Sequence, residues 1–552
     1  MRALAARRVH LLFAALLCLP GGLSQAVQDD EGDPFIEWRA QYEEYQKRLP
    51  FLMHARGRSK FAQTQDPRAL EILARSYARP ADPVDQSQYI IAAIATRHCR
   101  GEEHVSILDA WRGRHKKPQD AWLWYRTLAV HHSHNGPDQL VELLRAKTPT
   151  FLKAATLEAL ASQKEPDILE LIPEMLDDLP RRGVERAVIL ESLARCLYSQ
   201  SWRLGSEEFT GPAERLITMM DDKNTLERTK VTFARYLGKM FKTQGFSMEA
   251  EPWLRTLAAG APIAVNTRKS KYAQPKFFNL TATGRKICYV LDMSDSMCAP
   301  IDVGHKPKGP TTGGGAGAKK KKKKKDDDLP TPGQIAWWKI EIRFDLAREH
   351  LKASLLTLSP DRQFSVIWFG DGAGLLESTP GMIAASRKNV EKVIRELDSI
   401  TMGDPNPRRP HGTLRGLTNL HGGLHRAFKL KKRGLTKGAE YVDASTFEEG
   451  CDSIFLLSDG DPTWDDWAMM DTNYNEDTIG DPESRVPGVS TPNLYYQGPY
   501  SMWEHTIDDT ERLNLFRKIE FLCIGIGDVQ MYQLDRLAKK GILGGKTHEP
   551  GK

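Results

Sequence analysis

At 552 residues the chain is too long for one hydrophobic core, so two or more domains are expected. Its 40% hydrophobic and 27% charged residues describe folded soluble protein, apart from one low-complexity stretch. The net charge of +6 is concentrated in three arginines near the N-terminus and a run of seven lysines and three aspartates at 319–328. The rest is close to neutral, which excludes a distributed basic face for specific nucleic-acid binding.

Residues 1–26 read as an export signal. Arg2, Arg7 and Arg8 precede an apolar run from Leu11 to Leu19, followed by a Pro-Gly-Gly break and small residues at Ser24 and Ala26. The run is too short to span a bilayer comfortably, and no later segment is apolar enough to do so. A periplasmic, cell-envelope or secreted protein is expected. Downstream stand six cysteines, Cys99, Cys196, Cys288, Cys298, Cys451 and Cys523, with no CxxC pair and no zinc spacing. One disulfide remains open, but a disulfide scaffold is not indicated. Cys288 and Cys523 lie in apolar runs, where cysteine behaves as a small buried hydrophobe.

Residues 27–65 form a polar, aromatic-bearing leader that reads as one helix. From 66 to 260, short helical patterns follow one another, separated by Pro, Gly or Asp, as in "DPRALEILARSYAR", "PDQLVELLRAK" and "TFLKAATLEALASQK". In the last, Leu152, Ala155, Thr156, Ala159 and Leu160 recur at three and four, the period of a half-buried helix. Stacked helical pairs fit such a series, because each must bury its stripe on a neighbour. The stretch resembles a HEAT-type solenoid; a compact irregular helical domain is the alternative. Residues 261–284 read as a linker.

The pattern changes in 285–547. Continuous apolar runs ("ICYVL", "FSVIWFG", "SIFLLSD", "EFLCIGIG") alternate with amphipathic helices, one of which aligns Phe344, Ala347, Leu351, Leu355 and Leu358 on a single face. Strands apolar on both sides predict a doubly wound α/β domain, Rossmann-like, with a mostly parallel sheet covered on both faces. Such sheets bind ligands beyond the carboxyl ends of their strands. Two insertions interrupt the domain. Residues 302–334, rich in Gly and Lys, cannot bury enough surface to order themselves and read as a solvated tether, with weak contact to an anionic polymer or membrane as its functional reading. Residues 464–507, rich in Trp, Tyr, Asp and Pro, read either as a specificity surface or as packing over the sheet edge.

Three fragments carry the chemistry: "DMSDS" with Asp292, Ser294 and Ser296; "LTNLHGGL" with Thr418; and "LLSDGD" with Asp459. Each falls where a strand or loop meets a helix. Together they resemble the von Willebrand factor type A (VWA) domain and its metal-ion-dependent adhesion site, built from D-x-S-x-S, a distant Thr and a later Asp. The resemblance covers about 285–545 and fills all five positions in order. It implies Mg2+, or Mn2+ or Ca2+, held by Asp292, Ser294, Ser296, Thr418 and Asp459. A hard divalent ion takes oxygen ligands, and neutral hydroxyls bind it without quenching its charge. The resemblance further implies that both aspartates act largely through water, leaving one position open for a carboxylate of a protein partner. Asp295, Asn419, Asp461 and His421 stand beside these ligands in sequence and are expected to surround the ion without binding it. Asp295 and Leu417 each stand where the family commonly has Gly.

Other patterns fall away. "GGGAGAKK" and "GILGGKT" both miss the phosphate-loop spacing. His131, His132 and His134 read as a polar helix end. His421 and His425 are spaced like zinc ligands but lack an HExxH glutamate. Asp461, Asp465 and Asp466 read as an acidic turn or a second cation site. The reading is therefore an exported binding protein with a helical arm, capturing an acidic group through a divalent ion. The alternatives are a metal-assisted hydrolase, against which stands the lack of a further general base, and a scaffold whose helical arm does the binding.

Overall fold

The computed structural model describes residues 33–47, 51–78, 86–243, 245–259, 275–302, 334–400, 417–437, 442–471 and 494–550. Residues 1–26, read above as an export signal, residues 261–274 of the expected linker, residues 303–333 of the first insertion and 472–493 of the second lie outside the described residues.

Thirteen α-helices lie between Pro34 and Ala258 among the described residues. The leader supplies two of them, Pro34–Lys47 and Phe51–Gln63. Six helices pack each on the one before: Phe51–Gln63, Gln86–His98, Ala121–Asn135, Thr150–Gln163, Gly183–Ser199 and Glu227–Met240. They form a continuous inner layer, and the remaining seven flank it. The flanking helices are the amphipathic ones; Asp138–Arg145, for example, buries Leu140 and Leu144 and exposes its acids and Arg145. The inner helices are buried nearly all round, as expected of helices covered on both sides, and some of them bury arginines and other polar residues as well as apolar ones. In Thr150–Gln163 the half-buried stripe expected from the spacing is not what forms. Residues 154 to 161 are buried without interruption, because the C-terminal domain covers the face left open by the outer layer.

The C-terminal domain contains eleven short strands among the described residues. Two form a hairpin, β1 (Lys276–Phe277) with β2 (Leu280–Thr281). Phe277 of that hairpin packs edge-on against Tyr289 and Phe455, so the last ten residues of the expected linker belong to this domain. The main sheet contains β3 (Lys286–Asp292), β4 (Gln363–Phe369), β5 (Ala373–Leu375), β6 (Ile383–Ala384), β7 (Ser453–Ser458), β10 (Glu520–Gly525) and β11 (Lys546–His548). A separate ribbon pairs β8 (Met469–Asp471) with β9 (Leu494–Tyr496) inside the second insertion. The sheet order is β11–β10–β7–β3–β4–β5, with β6 also on β4. The four pairings from β11 to β4 are parallel, and β5 and β6 run antiparallel to β4 at one edge.

Side chains alternate across this sheet, as the pleat requires. Cys288, Val290, Ile454, Leu456, Phe521 and Cys523 enter one core with the helices Leu420–Lys429, Trp503–Asn514 and Met531–Ala538. Ile287, Tyr289, Leu291, Phe455, Leu457, Leu522 and Ile524 enter the other, with Arg343–Thr357 and Arg387–Ser399. All five residues of the predicted stripe from Phe344 to Leu358 lie in that second core. The first core runs on without a break into the helical region.

That continuity is reinforced by buried charges on the inner helices. Arg228 donates to the carbonyls of Thr446, Phe447, Cys451 and Arg517. Arg235 donates to Thr283 Oγ1 at 2.9 Å, Asp452 O at 3.0 Å and Ser453 Oγ at 2.8 Å. Glu158 pairs with Lys518 at 2.6 Å, and Arg512 lies 3.8 Å from the centre of the Tyr89 ring. Ser453 and Glu520 begin their strands, so the helical region grips the amino edge of the sheet, away from the carboxyl edge. No helix among the described residues is long and apolar enough to cross a membrane. All six cysteines from Cys99 onward are free thiols.

Candidate functional site

The chain passes from β3 to β4 on one side and later to β7 on the other, so the carboxyl ends of β3 and β7 flank the point where strand order switches. Clefts open at such points. The parallel register that pairs Leu291 with Leu457 brings Asp292 opposite Ser458, the residues that end these strands. Asp292 is fully buried, and its carboxylate accepts from Ser294 N at 2.9 Å, Ser294 Oγ at 2.5 Å and Ser458 Oγ at 2.7 Å.

From Asp292 a continuous line of oxygens leads to the second carboxylate. Ser294 Oγ lies 3.0 Å from Ser296 Oγ, and Ser296 Oγ donates to Asp459 Oδ1 at 2.7 Å. The other oxygen of Asp459 accepts from Arg343 Nη1 at 2.9 Å. Asp292, Ser294 and Asp459 are buried and Ser296 is exposed, so the group has a sealed floor and an open rim.

Thr418 comes from a different direction. Asn419 caps the helix Leu420–Lys429 by accepting from Gly422 N at 2.8 Å, and its own N–H donates to Gly370 O at 2.7 Å, just past the end of β4. Thr418 is further tied to the segment after β7: its N–H donates to Thr463 Oγ1 at 3.0 Å, and its carbonyl accepts from Thr463 N at 3.1 Å. A methyl group built on Gly460 would stand 3.8 Å from both Ser296 Oγ and Thr418 Oγ1. The two hydroxyls therefore flank one small space beside Gly460. All five sequence-selected oxygen donors are brought to the same rim.

The electrostatics follow from burial. Asp292 is pushed up to about 7 by loss of solvent and then by the facing charge of Asp459, against the pull of its hydroxyl donors. Burial also raises Asp459, against the pull of Ser296 and Arg343. Two carboxylates crowded together in this way are short of positive charge.

The neighbouring residues expected to surround an ion divide. Asp295 is exposed beside the motif. Asn419 serves as the helix cap and also donates to Asp466 at 2.9 Å. Asp461 accepts from Trp503 Nε1 at 3.0 Å and Gln530 Nε2 at 2.5 Å, so it holds the second insertion and the β10 loop. His421 is buried, its Nε2 donating to the Asp509 carboxylate at 2.9 Å and its ring stacking on Tyr500 at 3.8 Å. It faces the helical core rather than the oxygen cluster. Asp465 accepts from the backbone of Trp467 and Tyr500, pinning the described ends of the second insertion over helix Leu420–Lys429. Two participants were missed by sequence reasoning. Ser458 adjoins the Asp459 motif and could have been read from it. Arg343 lies 116 residues from its partner and carries no local signal.

The donor set is all oxygen, two carboxylates and three hydroxyls. That chemistry suits a hard cation such as Mg2+, Mn2+ or Ca2+ rather than zinc, which takes nitrogen and sulfur ligands. Each serine hydroxyl spends its proton on a carboxylate and keeps lone pairs for a ligand. No group of three or more His, Cys, Asp or Glu gathers as a metal cluster among the described residues. No family model matches the chain, and no curated protein matches it.

Proposed function

We propose that the C-terminal domain is a VWA-type binding module that holds one divalent cation, Mg2+ or alternatively Mn2+ or Ca2+, and captures an acidic side chain of a protein partner. The cation would be held by Asp292, Ser294, Ser296, Thr418 and Asp459. The observation that carries this reading is the unbroken line of oxygens from Asp292 through Ser294 and Ser296 to Asp459, with Thr418 flanking the same space. When bound, the ion supplies a Lewis-acidic centre for a carboxylate. The chain's own residues do the rest. Ser294, Ser296 and Thr418 offer neutral oxygens that leave the ion's charge unspent, and the buried carboxylates balance part of it from below. The strand ends hold these donors in place before any ligand arrives, which lowers the ordering cost of binding.

In this reading the helical region is a HEAT-like arm clamped to the opposite edge of the sheet, leaving the rim free for a partner in an exported, cell-envelope or secreted setting. The test is retention of a partner from the native envelope fraction on immobilised full chain in Mg2+, followed by elution with EDTA. Specific retention that is released by chelator and absent with Asp459→Asn is the expected result. Retention that survives both treatments would overturn the proposal.

A further inference from the structure

Asp459 does not face the cluster alone. Its Oδ1 is taken by Ser296 and its Oδ2 by the Arg343 guanidinium at 2.9 Å, while the other arm of that guanidinium reaches Asp528 Oδ2 at 2.8 Å. The two pairs are not equivalent. The Asp459 side chain is 0% exposed and that of Asp528 93% exposed, so the second pair is screened by water and the first is not.

The seat of this arginine is built. Arg343 opens the helix Arg343–Thr357, and its backbone N–H donates to Ala299 O at 3.0 Å, seven residues after Asp292. An isolated bridge between Pro300 and Ile342 ties the same two segments together. Across the guanidinium stands Gly527 at φ +72°, where a Cβ would come within 2.3 Å of Arg343 Cζ. A side chain there would expel the arginine. Glycine both permits the left-handed turn and leaves the room.

We infer that Arg343 is the resident counter-cation of the oxygen cluster: it neutralises Asp459 when no metal ion is held, opposes the entry of one, and leaves the loaded site with excess positive charge for an acidic group. This rests on the cation reading proposed above. The charge balance gives the direction. With a cation held, both carboxylates are ionised and together with the one arginine carry one negative charge, so a divalent ion leaves the site with one positive charge. Without the arginine the loaded site would be neutral. Arg343 therefore weakens the hold on the metal and strengthens the pull on a carboxylate, which makes it a positioning and specificity residue rather than a ligand.

The experiment uses the full chain with Mn2+ as probe, comparing wild type, Arg343→Gln and Asp528→Asn by calorimetric titration and by thermal melting in EDTA. Arg343→Gln should bind Mn2+ about tenfold tighter, as expected when a like charge near the ion is removed. In EDTA it should melt below wild type, and Mn2+ should raise its midpoint by more than it raises that of wild type. Asp528→Asn should match wild type in all three respects. Uptake by wild type with equal or weaker binding by Arg343→Gln would overturn the inference and leave the cation reading standing. No Mn2+ uptake by either chain would overturn both. Should Arg343→Gln fail to fold, the wild-type chain still decides: Mg2+ should shift the Arg343 side-chain Nε resonance, and an unmoved resonance at saturating Mg2+ would overturn the inference.

Discussion

Asp292 accepts three hydrogen bonds, two of them from hydroxyls placed two residues ahead in its own chain and at the end of the neighbouring strand. Ser294→Ala removes one donor from a buried carboxylate and one oxygen from the cluster. It should cost about 1–3 kcal/mol of stability, the penalty of leaving a buried acceptor short of a partner. It should also weaken Mn2+ binding, and denaturant melts with and without Mn2+ separate the two effects. Unchanged stability and unchanged Mn2+ affinity would contradict the geometry. At this scale the sequence was informative where the signal is local. Asp292, Ser294 and Ser296 fall in one five-residue motif, and Asp459 ends an apolar run, so each could be read without the fold. Arg343 could not, because only the sheet brings it to Asp459. Adjacency in sequence sets Asp461 and His421 beside the ligands, but their partners in the fold, Trp503, Gln530 and Asp509, lie far along the chain and carry no local signal.

At the scale of elements, the helix Leu420–Lys429 decides where Thr418 sits. Gly423 lets it approach the sheet: a Cβ there would lie 2.8 Å from the Phe369 ring and 3.1 Å from Val290. Gly423→Val should force the helix off β3 and β4, cost about 1–3 kcal/mol and lower cation affinity through displacement of Thr418. A stable variant with wild-type Mn2+ affinity would show that the helix does not position the threonine. The helix Arg343–Thr357 offers a pH test. His350 stacks on Phe278 at 3.8 Å, and burial, then the neighbouring His548, holds its pKa down at about 4. An unfolded chain takes up that proton nearer 6.5, so this contribution to stability is full above about 6.5 and is lost as pH falls towards 4. His350→Phe should flatten the melting midpoint across that window relative to wild type; an unaltered slope would contradict the assignment. The central strands were legible because continuous apolar runs mark a sheet covered on both faces. The β1–β2 hairpin was not, since two-residue strands give no periodicity, and its residues were read as linker.

For the whole molecule, the two halves were legible as classes, a helical series and an α/β sheet, but their union was not. Arg228 meets the carbonyls of Thr446, Phe447 and Cys451 across more than 200 residues, and nothing near Arg228 in sequence announces a buried anchor. The consequence is cooperative behaviour. Because one hydrophobic core runs from the inner helices into one face of the sheet, the chain should unfold in a single calorimetric transition. Two resolved transitions would mean that the halves are energetically independent. Arg228→Met removes a buried donor shared by the carbonyls of Thr446, Phe447, Cys451 and Arg517 and should destabilise the chain by more than about 3 kcal/mol. It should do so without altering Mn2+ affinity in the folded state, since the anchor lies at the edge of the sheet opposite the oxygen cluster.

The account rests on oxygens from three separate segments meeting at the carboxyl edge of the sheet to hold one divalent ion. The most direct measurement is the anomalous difference density of a crystal of the full chain grown with Mn2+. The account predicts one peak at coordination distance from the hydroxyl oxygens of Ser294, Ser296 and Thr418. Empty density at that position, or a peak only elsewhere on the chain, would contradict it.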